Sequence, residues 1–150
     1  MAPRILLDAG LLGLASVDPQ NPTSASFRQW VAAKRVGSDV CITPLTRYEA
    51  RRDLIRAGLK TKLARLDQFC RNLTPLPVTD QAGERATDFW AIVRRRGNNT
   101  APPLALDADA ILAGVAATCG RPGEAVIVAT TNIRHLGWFP GIDARIWQNF

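Results

Sequence analysis

Arg4-Ile5-Leu6-Leu7-Asp8, near the start of the chain, is a short apolar run that ends on a carboxylate. Its length and composition predict a buried strand with Asp8 at its end. A second run of this kind, Ala125-Val126-Ile127-Val128-Ala129, is the most convincing buried strand in the sequence. Strands that are apolar throughout are typical of a parallel sheet covered on both faces. The two runs therefore predict an α/β fold.

Short strands and helical periodicity alternate through the rest of the chain. The pattern predicts a short helical stretch at 10–15, helices at 24–35, 45–57, 59–72, 80–96 and 107–120, and strands at 39–42, 75–78 and 143–147. The proline- and asparagine-rich segment 97–103 is predicted to be a loop. This alternation indicates a mostly parallel sheet of four or five strands with right-handed crossovers.

The 150 residues match the usual size of one domain, so we expect a single domain over 1–150. No apolar run approaches the roughly 20 residues needed to cross a bilayer, and the start MAPRILLDAG lacks the features of a signal peptide. We therefore expect a cytoplasmic protein that does not contact a membrane. Three widely spaced cysteines argue against structural zinc and a disulfide framework.

The chain is basic, with a formal charge of +6 and a pI near 10.0 that come mainly from arginine. Arginine's planar fork suits phosphate recognition, so the charge suggests a polyanionic partner. Many small proteins are basic merely for solubility, and charge alone does not separate the two explanations. Arg51, Arg52 and Arg56, on the outer surface of the predicted helical hairpin, are the candidates for contacts with a phosphate backbone.

Acidic residues fall where a parallel sheet gathers functional groups, at the carboxyl ends of its strands. Asp8 ends the first strand, Glu49 lies two turns into the helix after the second, and Asp109 lies in the helix that precedes the strongest strand. Carboxylates that converge in a basic chain are costly unless a cation neutralises them, and oxygen ligands select Mg²⁺ or Mn²⁺. These three residues are the candidate catalytic metal ligands.

Each acid also has a structural explanation. Asp8 could cap the following helical turn, and Glu49 could pair with Arg52 on a solvated helix face. Asp107 fits the N-cap of the predicted helix at 107–120, although it could assist the site, and Asp109 would then lie in the first turn. Small residues further along this helix are expected to let it approach the sheet closely: Ala113, Gly114, Ala116 and Ala117. His135 is weak evidence for acid/base chemistry, and the four tryptophans are more typical of a core than of base stacking.

Four segments have an order and spacing typical of a known family: Ile5-Leu6-Leu7-Asp8-Ala9-Gly10, Thr43-Pro44-Leu45-Thr46-Arg47-Tyr48-Glu49, Leu106-Asp107-Ala108-Asp109-Ala110-Ile111-Leu112-Ala113 and Ala129-Thr130-Thr131-Asn132-Ile133-Arg134-His135-Leu136. Together they resemble the PIN-domain family, and within it the VapC-type toxins of bacterial toxin–antitoxin pairs, over nearly the whole chain. The resemblance implies a three-layer α/β/α fold and a hydrolase, an endoribonuclease that cuts RNA with Mg²⁺ or Mn²⁺. It also implies an antitoxin partner that threads a segment across the acidic pocket, and a homodimer.

Position by position, Asp8, Glu49 and Asp109 match the family's three main acids, and Thr130 matches its supporting hydroxyl. Two positions depart from the pattern. Gly10 stands where many members have Ser or Asn, and Asn132 stands where many have a fourth aspartate. The Asn132 amide can accept a hydrogen bond but brings no charge, which weakens the case for a second metal ion.

Other functions compete with a ribonuclease. The spacings alone support only a nucleotide- or metal-binding α/β domain, and the two departures favour a catalytically weak or inactive RNA-binding or interaction domain. A phosphotransfer receiver or haloacid-type phosphatase also places an aspartate after the first strand. Either of those functions would require a second acid beside Asp8 or two residues after it, and a lysine after a late strand. The sequence has neither.

Overall fold

In the part of the chain that the structure describes, five parallel strands form one sheet in the order β3-β2-β1-β4-β5. The structure is a computed structural model, and it describes residues 1–97 and 103–150. The strands are β1 (Arg4–Leu7), β2 (Asp39–Ile42), β3 (Thr74–Pro75), β4 (Val126–Thr130) and β5 (Asp143–Ile146). The α-helices are α1 (Ala9–Ser16), α2 (Pro22–Lys34), α3 (Pro44–Arg56), α4 (Lys60–Cys70), α5 (Asp80–Arg95) and α6 (Pro103–Thr118).

Helices cover both faces of the sheet because the strands are apolar on both sides. Leu6 of β1 joins a core formed with α5 and α6, which contains Phe89, Val93 and Leu106. Ile5 and Leu7 point to the opposite face and pack with α1, α2 and α4. This alternation follows from the period-2 geometry of a strand. The predicted three-layer α/β/α architecture with a parallel sheet is confirmed.

Several predicted boundaries are wrong. The second helix begins at Pro22 rather than Ser24, because Asn21 caps it by accepting from the backbone N–H groups of Thr23 and Ser24. The third strand spans Thr74–Pro75 instead of 75–78. The last helix begins at Pro103 instead of Asp107, four residues earlier than the N-cap signal indicated. Most of the predicted loop at 97–103 lies outside the described residues.

The prediction that small residues bring α6 close to the sheet is wrong for Gly114. Its missing side chain faces α5, since a Cβ atom there would lie 2.2 Å from the Ala82 carbonyl oxygen and 3.0 Å from the Ala86 nitrogen. The close approach is therefore between two helices. Ala113 and Ala116 are buried as expected, whereas Ala117 is exposed.

No helix in the described part of the chain is both long and apolar enough to span a membrane.

Candidate active site

Asp8 lies at the carboxyl edge of the sheet, directly after β1. Its Oδ1 accepts a hydrogen bond of 2.9 Å from the backbone nitrogen of Leu11, so it caps α1. Its Oδ2 accepts from the hydroxyl of Thr130, the last residue of the neighbouring strand β4. Burial raises the pKa of Asp8, hydrogen bonds from Thr130 and from the Leu11 and Thr131 backbones oppose that rise, and the nearby Asp109 carboxylate adds to it. The Asp8 side chain therefore caps α1, as one of its two interpretations predicted, and it also lies near the Asp109 carboxylate.

Thr130 connects Asp8 to the turn after β4. The Thr130 hydroxyl, which is buried, also accepts a hydrogen bond of 3.0 Å from the backbone nitrogen of Asn132. The side-chain oxygen of Asn132 accepts from the backbone nitrogen of Arg134 at 2.9 Å. Thr130, which the resemblance gave as the supporting hydroxyl, thus contacts Asp8, whereas the Asn132 carboxamide caps its own turn and is exposed.

Glu49 lies on α3, and the residues at the start of this helix determine where it begins. The Thr43 hydroxyl accepts from the backbone nitrogen of Thr46 at 3.2 Å, and Pro44 occupies the first helical position. Glu49 is half-buried, and burial raises its pKa. Arg52 opposes that rise, while Asp109 and Asp8 reinforce it. The three predicted acids are therefore close enough to repel one another.

Asp109, on α6, is half-buried and is held by a residue that the sequence did not single out as functional. His135 Nδ1 lies 2.9 Å from Asp109 Oδ2, and the His135 ring packs at a tilt against Trp138, with the ring centroids 4.8 Å apart. Burial raises the pKa of Asp109, and the hydrogen bond with His135 opposes the rise. The sequence offered only a lone histidine after β4 as a sign of this contact. His135 and Asp109 are 26 residues apart, so no local spacing pattern connects them.

The predicted N-cap role of Asp107 is wrong. Because α6 begins at Pro103, Asp107 lies in the second turn of the helix, and Asp109 lies beyond the first turn in which it was expected. Asp107 is exposed, yet it lines the same cavity as Asp109.

A cavity of about 850 Å³ opens between α1, α3 and α6 at this edge of the sheet, and we call it the acidic cavity. Its polar lining includes Glu49, Asp53, Asp107 and Asp109, and the rest of its lining is largely small or apolar. Oxygen donors of this kind fit a hard divalent cation better than zinc. As the side chains stand, no three His, Cys, Asp or Glu residues of the described ranges are close enough to hold one ion together.

Two observations are nevertheless consistent with these acids as candidate ligands of a cation. Burial raises the pKa of Asp8, Glu49 and Asp109 alike, and the repulsion from Asp109 reaches the other two acids. Asp8 and Asp109 are each oriented by a partner from β4 or the segment after it, Thr130 and His135. The acids that could hold the ion are Asp8, Glu49 and Asp109, with Asp107 beside them.

Gly10, which has no side chain, leaves room for the Thr131 hydroxyl beside Asp8. A Cβ atom at position 10 would lie 2.9 Å from Thr131 Oγ1 and 3.5 Å from Asp8 Oδ1. The Thr131 side chain therefore occupies space beside Asp8 that a residue with a side chain at position 10 would need. The position of the Thr131 hydroxyl therefore depends on the absence of a side chain at residue 10.

The predicted phosphate-contacting arginines lie on a second cavity of about 690 Å³, which adjoins the acidic cavity along α3 and which we call the arginine groove. It is lined by Ile42, Thr43, Pro44, Arg47, Tyr48, Arg51, Arg52, Ile55, Arg56 and Pro75.

The four arginines of the groove are not equally available. Arg51 and Arg47 both pair with Asp67, and Arg56 pairs with Asp53 at 3.3 Å on the exposed surface. Arg52 lies over the ring of Tyr48.

Comparison with known proteins finds similarity in structure only. No protein-family model matches the chain, and no curated protein matches it in sequence. Solved structures do match over nearly the full length. VapBC2 from Rickettsia felis, solved bound to a DNA fragment from its promoter, has a TM-score of 0.74 at 12% identity, covering 94% of this chain and 96% of that one.

The chain has a PIN-like fold. DNA-bound VapBC from Salmonella typhimurium matches with a TM-score of 0.68 at 22% identity, covering 97% of this chain and 98% of that one. FitAcB from Neisseria gonorrhoeae matches with a TM-score of 0.68 at 19% identity, covering 97% and 99%. At such identities the match establishes the PIN-like architecture alone.

Proposed function

We propose that this chain is a metal-dependent endoribonuclease that hydrolyses RNA phosphodiester bonds with Mg²⁺ or Mn²⁺, and that it is the toxin of a toxin–antitoxin pair. The observation that carries the proposal is the set of three acids at the carboxyl edge of the sheet, Asp8, Glu49 and Asp109. Burial raises the pKa of all three, repulsion from Asp109 adds to the rise at Asp8 and Glu49, and groups with perturbed pKa values are concentrated at functional sites.

The chain's own residues have distinct parts in the mechanism. A divalent ion held by Asp8, Glu49 and Asp109 would neutralise their charge and supply a Lewis acid to the phosphodiester. Thr130 and the Leu11 backbone nitrogen orient the Asp8 carboxylate, and His135 orients Asp109. Orientation by such neighbouring groups commonly affects metal affinity or activity 10- to 100-fold, to order of magnitude.

The arginines of the arginine groove would hold the RNA backbone beside the acids. Arg51 is fixed in place by Asp67, while Arg52 and Arg56 are exposed. Phosphate contacts of this type position a nucleic acid without reading its sequence.

An antitoxin partner is part of the proposal because the structural neighbours described above are VapBC and FitAcB structures. We propose that an antitoxin segment threads across the acidic cavity and inserts an arginine near the acids. A homodimer is proposed from the family resemblance alone.

A second candidate function is a non-catalytic RNA-binding or interaction domain. It is favoured by the Asn132 carboxamide, which caps its own turn, and by the absence of three converged ligands among the described residues. Such a domain would bind RNA and leave it intact in any metal.

The experiment that separates the two functions is incubation of the purified chain with a mixed pool of single-stranded RNA in Mn²⁺, in Mg²⁺ and in EDTA. We expect discrete cleavage products with either metal and none in EDTA, because the three acids need a cation to act on a phosphodiester. RNA that is bound but uncut in both metals would replace the nuclease with the binding domain.

A further inference from the structure

We propose that Tyr48 and Arg52 form a stacking subsite for one base of a single-stranded RNA, on the ridge between the acidic cavity and the arginine groove. This inference rests on the proposed function and names the form of RNA that the site takes. Neither residue is a metal-ligand candidate, so the subsite is separate from the acids that would cut the strand.

The position of the two residues is the first observation. Tyr48 and Arg52 line both cavities, and they are four residues apart on α3, so they share one face of the helix. Glu49 follows Tyr48 directly in the chain. A base held on Tyr48 would therefore place its neighbouring phosphates between the acids on one side and the arginines on the other.

The exposure of Tyr48 is the second observation. Its residue surface is 60% exposed, although it lies next to half-buried Glu49 on a helix that packs against α1 and α4. The Arg52 guanidinium lies 5.4 Å from the centre of its ring. Aromatic rings and arginine planes are the groups on which proteins stack unpaired bases, and a duplex does not offer its bases in this way.

Charge favours RNA over an acidic peptide as the occupant. The acidic cavity presents Glu49, Asp53, Asp107 and Asp109 on one side of the ridge, and these would repel an acidic side chain at Tyr48. A nucleobase is neutral, and its phosphates can lie over the arginine groove, where Arg52 and Arg56 are exposed. Ile55, which is 56% exposed, adds apolar surface to the same groove.

The test compares two ligands on the full chain in EDTA, which prevents cleavage. One is a fluorescently labelled single-stranded RNA of about eight nucleotides, and the other is an abasic strand of the same length and charge. Fluorescence anisotropy gives the two dissociation constants. We expect the wild-type chain to bind the RNA about 5- to 100-fold more tightly, because stacking contributes only when a base is present.

The variants assign that preference to Tyr48. Tyr48→Ala is expected to abolish the preference for the base-containing strand while leaving the affinity for the abasic strand unchanged, and Tyr48→Trp is expected to restore it. Trp90→Ala is the matched control, since Trp90 is also exposed beneath an arginine, Arg94, but lines neither cavity. Thermal unfolding of each variant checks that the fold is intact.

The subsite is overturned if the wild-type chain shows no preference, if Tyr48→Ala keeps it, or if a polyglutamate peptide binds the ridge and RNA does not. These outcomes are separate from the nuclease assay. Metal-dependent cleavage with an unchanged preference in Tyr48→Ala removes the subsite and leaves the nuclease. A preference lost in Tyr48→Ala without any cleavage supports the subsite and removes the nuclease.

Discussion

Replacing Asp8 by asparagine is expected to lower the rate of RNA cleavage by about 100-fold or more, because a metal ligand should matter at least as much as the groups that orient one. The substitution keeps the shape of the side chain and removes its charge. Asparagine caps a helix as well as aspartate does, so the hydrogen bond from Leu11 should survive. The measurement is the initial rate of cleavage in Mn²⁺.

The same variant should be at least as stable as the wild-type chain in EDTA at neutral pH. The pKa of Asp8 is raised in the folded chain, mainly by burial. A raised carboxyl pKa contributes stability that is fully present below the unfolded pKa and is lost as pH rises through the folded value. Wild type should therefore lose stability relative to Asp8→Asn as pH increases, and thermal unfolding across the acidic-to-neutral range measures the difference.

Asp88→Asn is the matched control for both measurements. Asp88 is an exposed carboxylate on α5 that pairs with Arg85 at 3.9 Å and lines neither cavity. We expect it to leave cleavage unchanged and to show no comparable pH-dependent gain. An Asp8→Asn chain that cuts RNA at the wild-type rate would remove Asp8 from the site, and one that is unstable in EDTA would make its role structural.

Substituting Gly114 by alanine is expected to destabilise the chain by about 2 kcal/mol or more, which lowers the Tm by about 5 °C or more. The added Cβ would lie 2.2 Å from the Ala82 carbonyl oxygen, a backbone atom that cannot move aside without separating α5 from α6. Thermal unfolding in a single buffer measures the effect.

Gly83→Ala, on the facing helix α5, is the control for Gly114. A Cβ atom there meets no heavy atom within 4 Å. The higher helix propensity of alanine should therefore increase the free energy of unfolding by about 0.5–1 kcal/mol. If Gly114→Ala is as stable as wild type, then α5 and α6 do not pack as closely as the structure indicates.

Local sequence signals were sufficient for the framework of the site. The apolar runs of β1 and β4 predicted a parallel sheet, and Asp8 and Thr130 follow from the places where those strands end. Glu49 could be placed because Thr43 and Pro44 mark the start of α3. Each of these predictions depends on residues that are close together in the chain.

What could not be predicted depends on contacts between distant segments. Asp107 looked like an N-cap, but Pro103 begins α6 one turn earlier, since proline is favoured at the first helical position. The small residues of α6 did not indicate which element packs against Gly114, because a glycine allows close packing against a sheet and against a helix alike. His135 and Asp109 meet only when β4 and α6 are folded together.

We propose that Asp8, Glu49 and Asp109 hold one divalent ion, and crystals of the chain grown with Mn²⁺ test this most directly. Anomalous scattering locates manganese without assuming a ligand set. We predict a peak at the carboxyl edge of the sheet, coordinated by oxygens of these three residues after their side chains converge. Manganese bound only elsewhere, or no manganese in crystals of a chain that cuts RNA, would contradict the account.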